Sequence, residues 1–250
     1  VLSNASSGAI RGDIVANGNA QQWIRIANAL RIRIALRMAD VQPDVAKSVI
    51  EEAALNTLTG VSQDVFFPYN NAAATNRFPY NDVERALVEF AVSGTLVDYL
   101  KEKSDPRLPI YARPDDTNGS YIGKVYGTEA NSPTMIALSK PGVKAYAGDA
   151  KGYIITYAEI AFALSEAAAR GMNVGGTAEE WYKKGITASM NQWGITDVAT
   201  IETYLAKVPF EEGSWKDVIG SQKWLALYTQ GIQGWLERLR LDPQKPDGSP

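Results

Sequence analysis

Residues 23–38 read WIRIANALRIRIALRM, a run in which four arginines (Arg25, Arg31, Arg33 and Arg37) stand among Trp, Ile, Leu, Ala and Met. On a helical wheel turned by about 100° per residue with Arg33 at the origin, one half-circle holds Ile26, Leu30, Trp23, Ile34, Ala27, Met38, Ile24 and Ala35. Arg33 and Arg37 lie at its edge, Arg25 opposite and Arg31 inside it, while Ile32 and Leu36 fall on the other side. A helix lying on a membrane gathers its charges on one face, which this one does not. A helix that reads DNA is not apolar over most of its circumference. The run therefore demands a helix packed on nearly all sides in a helical stack. Arg31 is expected to pair there with a carboxylate, because a lone buried guanidinium costs several kcal/mol. Glu51, Glu159 and Glu166 on neighbouring helices are the candidates.

The rest of the chain repeats this style. Asp40-Val41-Gln42 is a turn, and Pro43 suits the first turn of a second helix, PDVAKSVIEEAAL at 43–55. Together they make a helix–turn–helix pair about as long as one tetratricopeptide repeat. Residues 60–150 are loop-rich, with Asn, Pro and aromatics over 65–82, a helical pattern at 84–103, possible break at Ser93-Gly94, and turn signals over 104–133. A second pair begins at 153–171, ends in Arg170-Gly171, and resumes at Thr177, where Thr177 and Glu180 form a capping box for 178–194. Asp197 and Thr200 open short helical segments, and 218–241 reads as one long amphipathic helix or two. The expected architecture is one domain over 1–250: a helical pair at 20–58, a loop-rich insertion at 60–150, and a helical pair with C-terminal helices at 151–241. The fold class is mainly α, a tetratricopeptide-like helical-repeat scaffold with long irregular loop insertions.

Composition narrows the chemistry. Among 250 residues there is no Cys and no His, which removes thiolate and Ser-His-Asp catalysis and most transition-metal sites. Lys and Arg number 25 against 28 Asp and Glu, a balance that argues against a nucleic-acid partner. No stretch is apolar enough to span a bilayer as a helix. The chain opens without a signal-peptide pattern and is expected to be the C-terminal part of a longer protein.

The loop aromatics are the sharpest binding candidates. Sugars present apolar C–H faces that stack on flat rings and hydroxyl edges that pair with Asn and Arg. Phe67, Tyr69, Asn71, Arg77, Tyr80, Tyr111, Tyr126 and Tyr146 supply both kinds of group, with Phe66, Phe78, Tyr121, Arg113 and Asn118 nearby in sequence. The alternative for each ring is that it pins a loop to the scaffold. Asp115-Asp116-Thr117-Asn118-Gly119 lacks the ligand spacing of a calcium loop and reads as a polar turn. The adjacent carboxylates Glu51-Glu52, Glu179-Glu180 and Glu211-Glu212 do not face each other across a substrate as glycosidase chemistry requires. Tyr157 and Glu159 point different ways around one helix. Trp224 and Trp235, three turns apart, read as a core stripe, or else a partner interface.

An ordered set of motifs resembles the SusD-like (RagB/SusD) outer-membrane lipoproteins of Bacteroidetes. They are Trp23, Ala27-Asn28, Leu30-Arg31, Arg33 and Arg37; Ser104-Asp105-Pro106-Arg107-Leu108; Gly123 through Tyr126-Gly127; Ile155-Thr156-Tyr157-Ala158-Glu159-Ile160 with Ser165-Glu166-Ala167-Ala168; Tyr182 with Gly185-Ile186; and Gln222-Lys223-Trp224 with Gln230-Gly231 and Trp235. Gln233-Gly234-Trp235 followed by Arg238 and Arg240 departs from the family's Glu-Ala-Trp and paired arginines. The resemblance implies a non-catalytic protein without cofactor or metal, on the outer surface of the outer membrane. Its implied partners are a glycan, or in some members a peptide, and a SusC-like TonB-dependent transporter. It implies membrane attachment only through an N-terminal lipid anchor that lies outside this chain. A protein-binding scaffold without a glycan site and a carboxylate-based glycoside hydrolase are the alternatives.

Overall fold

The computed structural model describes residues 11–81, 90–128 and 134–241. Residues 1–10 of the Ser-, Gly- and Asn-rich stretch at 1–19, which reads as loop, lie outside them, as do the first part of the expected helix at 84–103, the turn-rich 129–133 and residues 242–250. The chain divides into two compact units: 1–67, 153–192 and 209–250 form the first, and 68–152 with 193–208 the second.

In the first unit, Asp13 nucleates the entry to α1 (Ala20–Met38). Its carboxylate accepts from the backbone N–H groups of Ala16, Val15 and Gly18 and from the Trp23 indole. These bonds, the one from Ala16 foremost, hold the Asp13 carboxyl at about 2. Asn19 then caps the helix by accepting from Gln22 N. The α2 helix (Pro43–Ala54) starts with its proline in the first turn, as expected. Ala29, Ala46 and Ala53 are fully buried, and such small side chains let α1 and α2 approach closely.

The buried face of α1 holds Ile26, Ala29, Ile32, Ala35 and Leu36, whereas Ile34 is 56% exposed. The inward face is thus the one centred on Ile32 and Leu36. This corrects the expectation for Arg31, which lies on the outer side and bonds Glu52 at 2.6 Å and Asn28 at 3.0 Å near the surface. The buried guanidinium is that of Arg33. Its Nε and Nη2 each donate to Glu159 at 2.6 Å, with side chains only 9% and 3% exposed, and Nη2 also donates to the Ile154 carbonyl. A wheel apolar on both sides cannot choose its inward face. The bidentate partner, far away in sequence, does.

Two short strands, β1 (Val65–Pro68) and β4 (Lys151–Ile155), pair in a two-stranded sheet, and α5 (Tyr157–Ala169) follows. Thr156 caps α5, and Ala158 to Ala167 are all buried, which makes α5 the central helix of the unit. It ends at Gly171, whose φ of +80° only glycine adopts at low cost. The capping box then forms as expected: Thr177 N donates to Glu180 Oε2 at 2.8 Å, and Glu180 N to Thr177 Oγ1 at 3.1 Å. In α6 (Ala178–Gln192), Gly185 faces the Phe162 ring so closely that a Cβ there would sit 2.8 Å from it.

The C-terminal run forms two helices, α8 (Trp215–Ala226) and α9 (Gly231–Leu241). The break at 227–230 cancels the three-turn register between the tryptophans. Because α9 turns Gly234, Glu237 and Leu241 inward, Trp235 is 63% exposed, and the core-stripe reading is corrected for it. An alternating chain of charges ties these helices together. Asp40 meets Arg170 at 2.7 Å, Arg170 meets Glu166 at 2.8 Å, Glu166 holds Arg240 through two bonds of 2.5 Å, Arg240 meets Glu237 at 2.5 Å, and Glu237 meets Lys223 at 2.7 Å.

In the second unit, Ser93 caps α3 (Gly94–Glu102), so the described part of the expected helix at 84–103 begins only after the predicted break. A four-residue helix α4 (Leu108–Tyr111) leads into β2 (Ala112–Arg113), which pairs antiparallel with β3 (Lys140–Pro141). The α7 helix (Val198–Lys207) is capped by Asp197, as expected. Tyr204 of α7 is buried and accepts from Arg107, whose side chain and that of Asp105 are wholly buried together.

Candidate functional site

From Val65 to Asn81 the chain is rich in Asn, Pro and aromatic residues, and its backbone folds on itself. Asn70 N donates to the Asn76 carbonyl at 2.9 Å, and Asn70 Oδ1 accepts from Ala72 N at 3.0 Å. Only a short strand and one 3-10 turn at Ala74–Asn76 order the backbone here, and the aromatic side chains pack on one another. Tyr69 meets Phe78 edge to face with centroids 5.3 Å apart, Phe78 meets Tyr80 at 5.7 Å, and Tyr80 meets Phe90 at 5.8 Å. Tyr80 is 61% exposed, and Phe90 is exposed as well.

A second segment closes against this ladder. The Gly148 carbonyl accepts from Phe78 N at 2.9 Å. A Cβ on Gly148 would lie 2.1 Å from Asn71 Oδ1 and 3.2 Å from Asn81 Oδ1, so only glycine lets both amides approach its backbone. Asn81 Nδ2 donates to the Tyr146 carbonyl at 3.0 Å, and the Arg113 guanidinium lies over the Tyr146 ring at 5.9 Å. The structure thus brings Tyr69, Asn71, Tyr80 and Tyr146 to one surface with Phe78, Asn81, Phe90 and Arg113, and Arg77 is next to Phe78 in the same segment. Flat rings edged by amides and guanidinium groups are suited to stacking on apolar ring faces and bonding hydroxyl edges.

Three sequence candidates stand apart. Tyr111 is fully buried and packs edge to face on Trp193 at 5.1 Å, so it belongs to the core of the second unit rather than to a surface. Tyr126 is 77% exposed in the turn that ends at Gly127, whose φ is +75°. Phe67 is exposed on β1, within the first unit. Conversely, sequence reasoning missed Asn81, Gly148 and Phe90. Phe90 fell inside a helical pattern, and Gly148 carries no signal without its neighbours.

Six of the seven carboxylates weighed for catalysis are engaged structurally, all but Glu212. Glu52 binds Arg31, Glu51 accepts from Asn173 N, Glu159 binds Arg33, Glu179 binds Lys183, Glu180 caps α6 and Glu211 accepts from Ser214 Oγ. Asp115 accepts backbone N–H bonds from Asn118, Thr117 and Ser120, closing the polar turn expected there and holding its carboxyl below the usual range. Asp116 pairs with Lys140.

A SusD-like family model, described as "Starch-binding associating with outer membrane", matches residues 2–245. No curated protein matches. The fold is similar to that of a solved chitin-binding protein, at 25% identity and a TM-score of 0.83, covering 96% of this chain and 56% of that one. It is similar to a chitin-binding SusD homolog from Flavobacterium johnsoniae (23% identity, TM-score 0.81, 94% and 54% covered). It is also similar to a SusD homolog from Bacteroides ovatus ATCC 8483 (22% identity, TM-score 0.84, 98% and 58% covered). The chain spans little more than half the length of each.

Proposed function

The chain belongs to the SusD-like family, and from that premise we propose that it is a non-catalytic glycan-binding protein of the outer-membrane surface, which delivers its ligand to a SusC-like TonB-dependent transporter. The observation that carries this reading is the ladder of half-buried Tyr69 and Phe78 leading to exposed Tyr80 and Phe90, edged by Asn71 and Asn81. The chitin-binding relatives support a saccharide as ligand, and the engagement of most of the weighed carboxylates in structural bonds supports binding without turnover. In calorimetry against an oligosaccharide panel, Tyr80→Ala is expected to weaken saturable binding by about tenfold, the worth of one well-packed ring. Tyr126→Ala, outside the ladder, should leave affinity unchanged. Product formation during the titration would sink the non-catalytic reading, and indifference to Tyr80→Ala would move the site elsewhere.

A second reading, contact with a protein partner, is favoured by α9, which turns Ile232, Trp235 and Leu239 to solvent on one stripe. The transporter is the partner we assign to it. Trp235→Ala is then expected to abolish co-purification with the transporter while glycan affinity stays intact. Co-purification that survives the substitution removes the stripe from the transporter contact.

A further inference from the structure

The described arginines of the second unit divide by what holds them. Arg107 pairs with the Asp105 carboxylate. Arg77 and Arg113 do not: among the described residues no carboxylate pairs with either, and the Nε of each is buried without an acceptor. What sets Arg77 and Arg113 apart is charge: neither guanidinium has a counter-charge among the described residues of its unit, whereas Arg107 does. Arg113 belongs to the surface described above, and Arg77 adjoins its Phe78 in the chain. Arg77 is the one charged residue from Val65 to Asn81, the stretch that supplies Tyr69, Asn71, Phe78, Tyr80 and Asn81. The Arg113 guanidinium lies over the Tyr146 ring at 5.9 Å, and a guanidinium held over a ring can still bond an anion through its terminal N–H groups. Asp149, the acid nearest in sequence to Gly148, is exposed and pairs with neither.

We propose that the glycan taken at this surface is acidic, and that Arg77 and Arg113 bind its carboxylate or sulfate groups. The inference rests on the glycan-binding reading and narrows its ligand. Neutral hydroxyls are served by the amide of exposed Asn71. Two guanidinium groups without a carboxylate are matched best by ligand charge, since ionised hydrogen bonds are roughly twice as strong as neutral ones.

The test is calorimetry of the full chain with oligogalacturonides as the carboxylate probe, sulfated carrageenan oligosaccharides as the sulfate probe, and malto- and chito-oligosaccharides as neutral probes. At least one acidic probe is expected to bind about tenfold or more tighter than the neutral ones, with affinity falling as salt rises. The preferred probe identifies the anion. Arg77→Gln and Arg113→Gln are each expected to weaken that probe by about 10- to 100-fold while neutral probes and the melting temperature stay unchanged. Arg113→Lys should restore part of the loss. Neutral probes that bind as tightly as acidic ones and respond to Tyr80→Ala overturn the acidic ligand and leave the glycan reading standing. Acidic binding untouched by both Gln variants overturns the role of the arginines. Silence across all probes overturns both readings together.

Discussion

Glu166→Ala is expected to lower the unfolding free energy by about 3–5 kcal/mol, measured by urea denaturation at neutral pH. Glu166 is fully buried and holds Arg240 through two bonds and Arg170 through a third. Removing it leaves two guanidinium groups sharing the attraction of Asp40 and Glu237 alone, inside the helical layer. In the parent, burial opposes the Arg240 charge but Glu166 and Glu237 outweigh it; without Glu166, Glu237 alone is left to offset that burial. Asp40→Ala, at the exposed end of the same charge chain, should cost about 1 kcal/mol or less. Equal losses at the two positions would show that burial does not set the energy of the chain. The pH dependence has a definite sign. Burial pushes the Glu237 carboxyl up, yet Lys223 and Arg240 outweigh it and hold the group at about 2, against 4.5 ordinarily. A folded pKa below the unfolded one means that its contribution is complete above about 4.5 and disappears as pH falls through about 2. The variant Glu237→Gln should therefore show a flatter acid limb than the parent.

Helix ends were readable because their chemistry is local. Thr177 with Glu180, Asp197, Pro43 and Gly171 each satisfy or replace backbone groups within a few residues, so three- and four-residue patterns suffice. The inward face of α1 was not readable for the opposite reason. Ile34 and Leu30 make as good an apolar row as Ile32 and Leu36, and the tie is broken by Glu159, which the chain brings to Arg33 only through the packing of α5. The candidate surface divides in the same way. Tyr69, Asn71, Tyr80 and Tyr146 were visible as aromatics and amides in aperiodic segments. Tyr111 looked identical by that criterion, yet it follows the buried Asp105–Arg107 pair and is drawn inward with it. Residue type identifies what could bind a sugar, and only the long-range pairing decides which of those groups reaches solvent.

That pair is the second place where one substitution should have a large effect. Asp105→Ala is expected to cost about 3–5 kcal/mol. Both side chains are wholly buried, and Asp105 receives Arg107 Nη2 at 2.6 Å, Nε at 2.9 Å and the Arg107 backbone N–H at 2.9 Å. Burial works against the Arg107 charge, but Asp105 outweighs it and keeps the guanidinium protonated, so losing Asp105 strands a cation in the core. The double replacement Asp105→Leu with Arg107→Met removes the stranded charge as well, and should be less destabilising than Asp105→Ala alone. A double variant that loses the full sum of its single variants would mean the two side chains act independently, which their geometry forbids. The consequence reaches the binding surface without touching it. The Arg107 carbonyl accepts from Tyr111 N at 2.8 Å, so the pair anchors α4, and α4 runs directly into β2, where Arg113 stands over Tyr146. Asp105→Ala should therefore weaken ligand binding only as far as it unfolds the second unit, with affinity recovering when the temperature is lowered below the melting transition. Tyr80→Ala, which removes a contact, should show no such recovery.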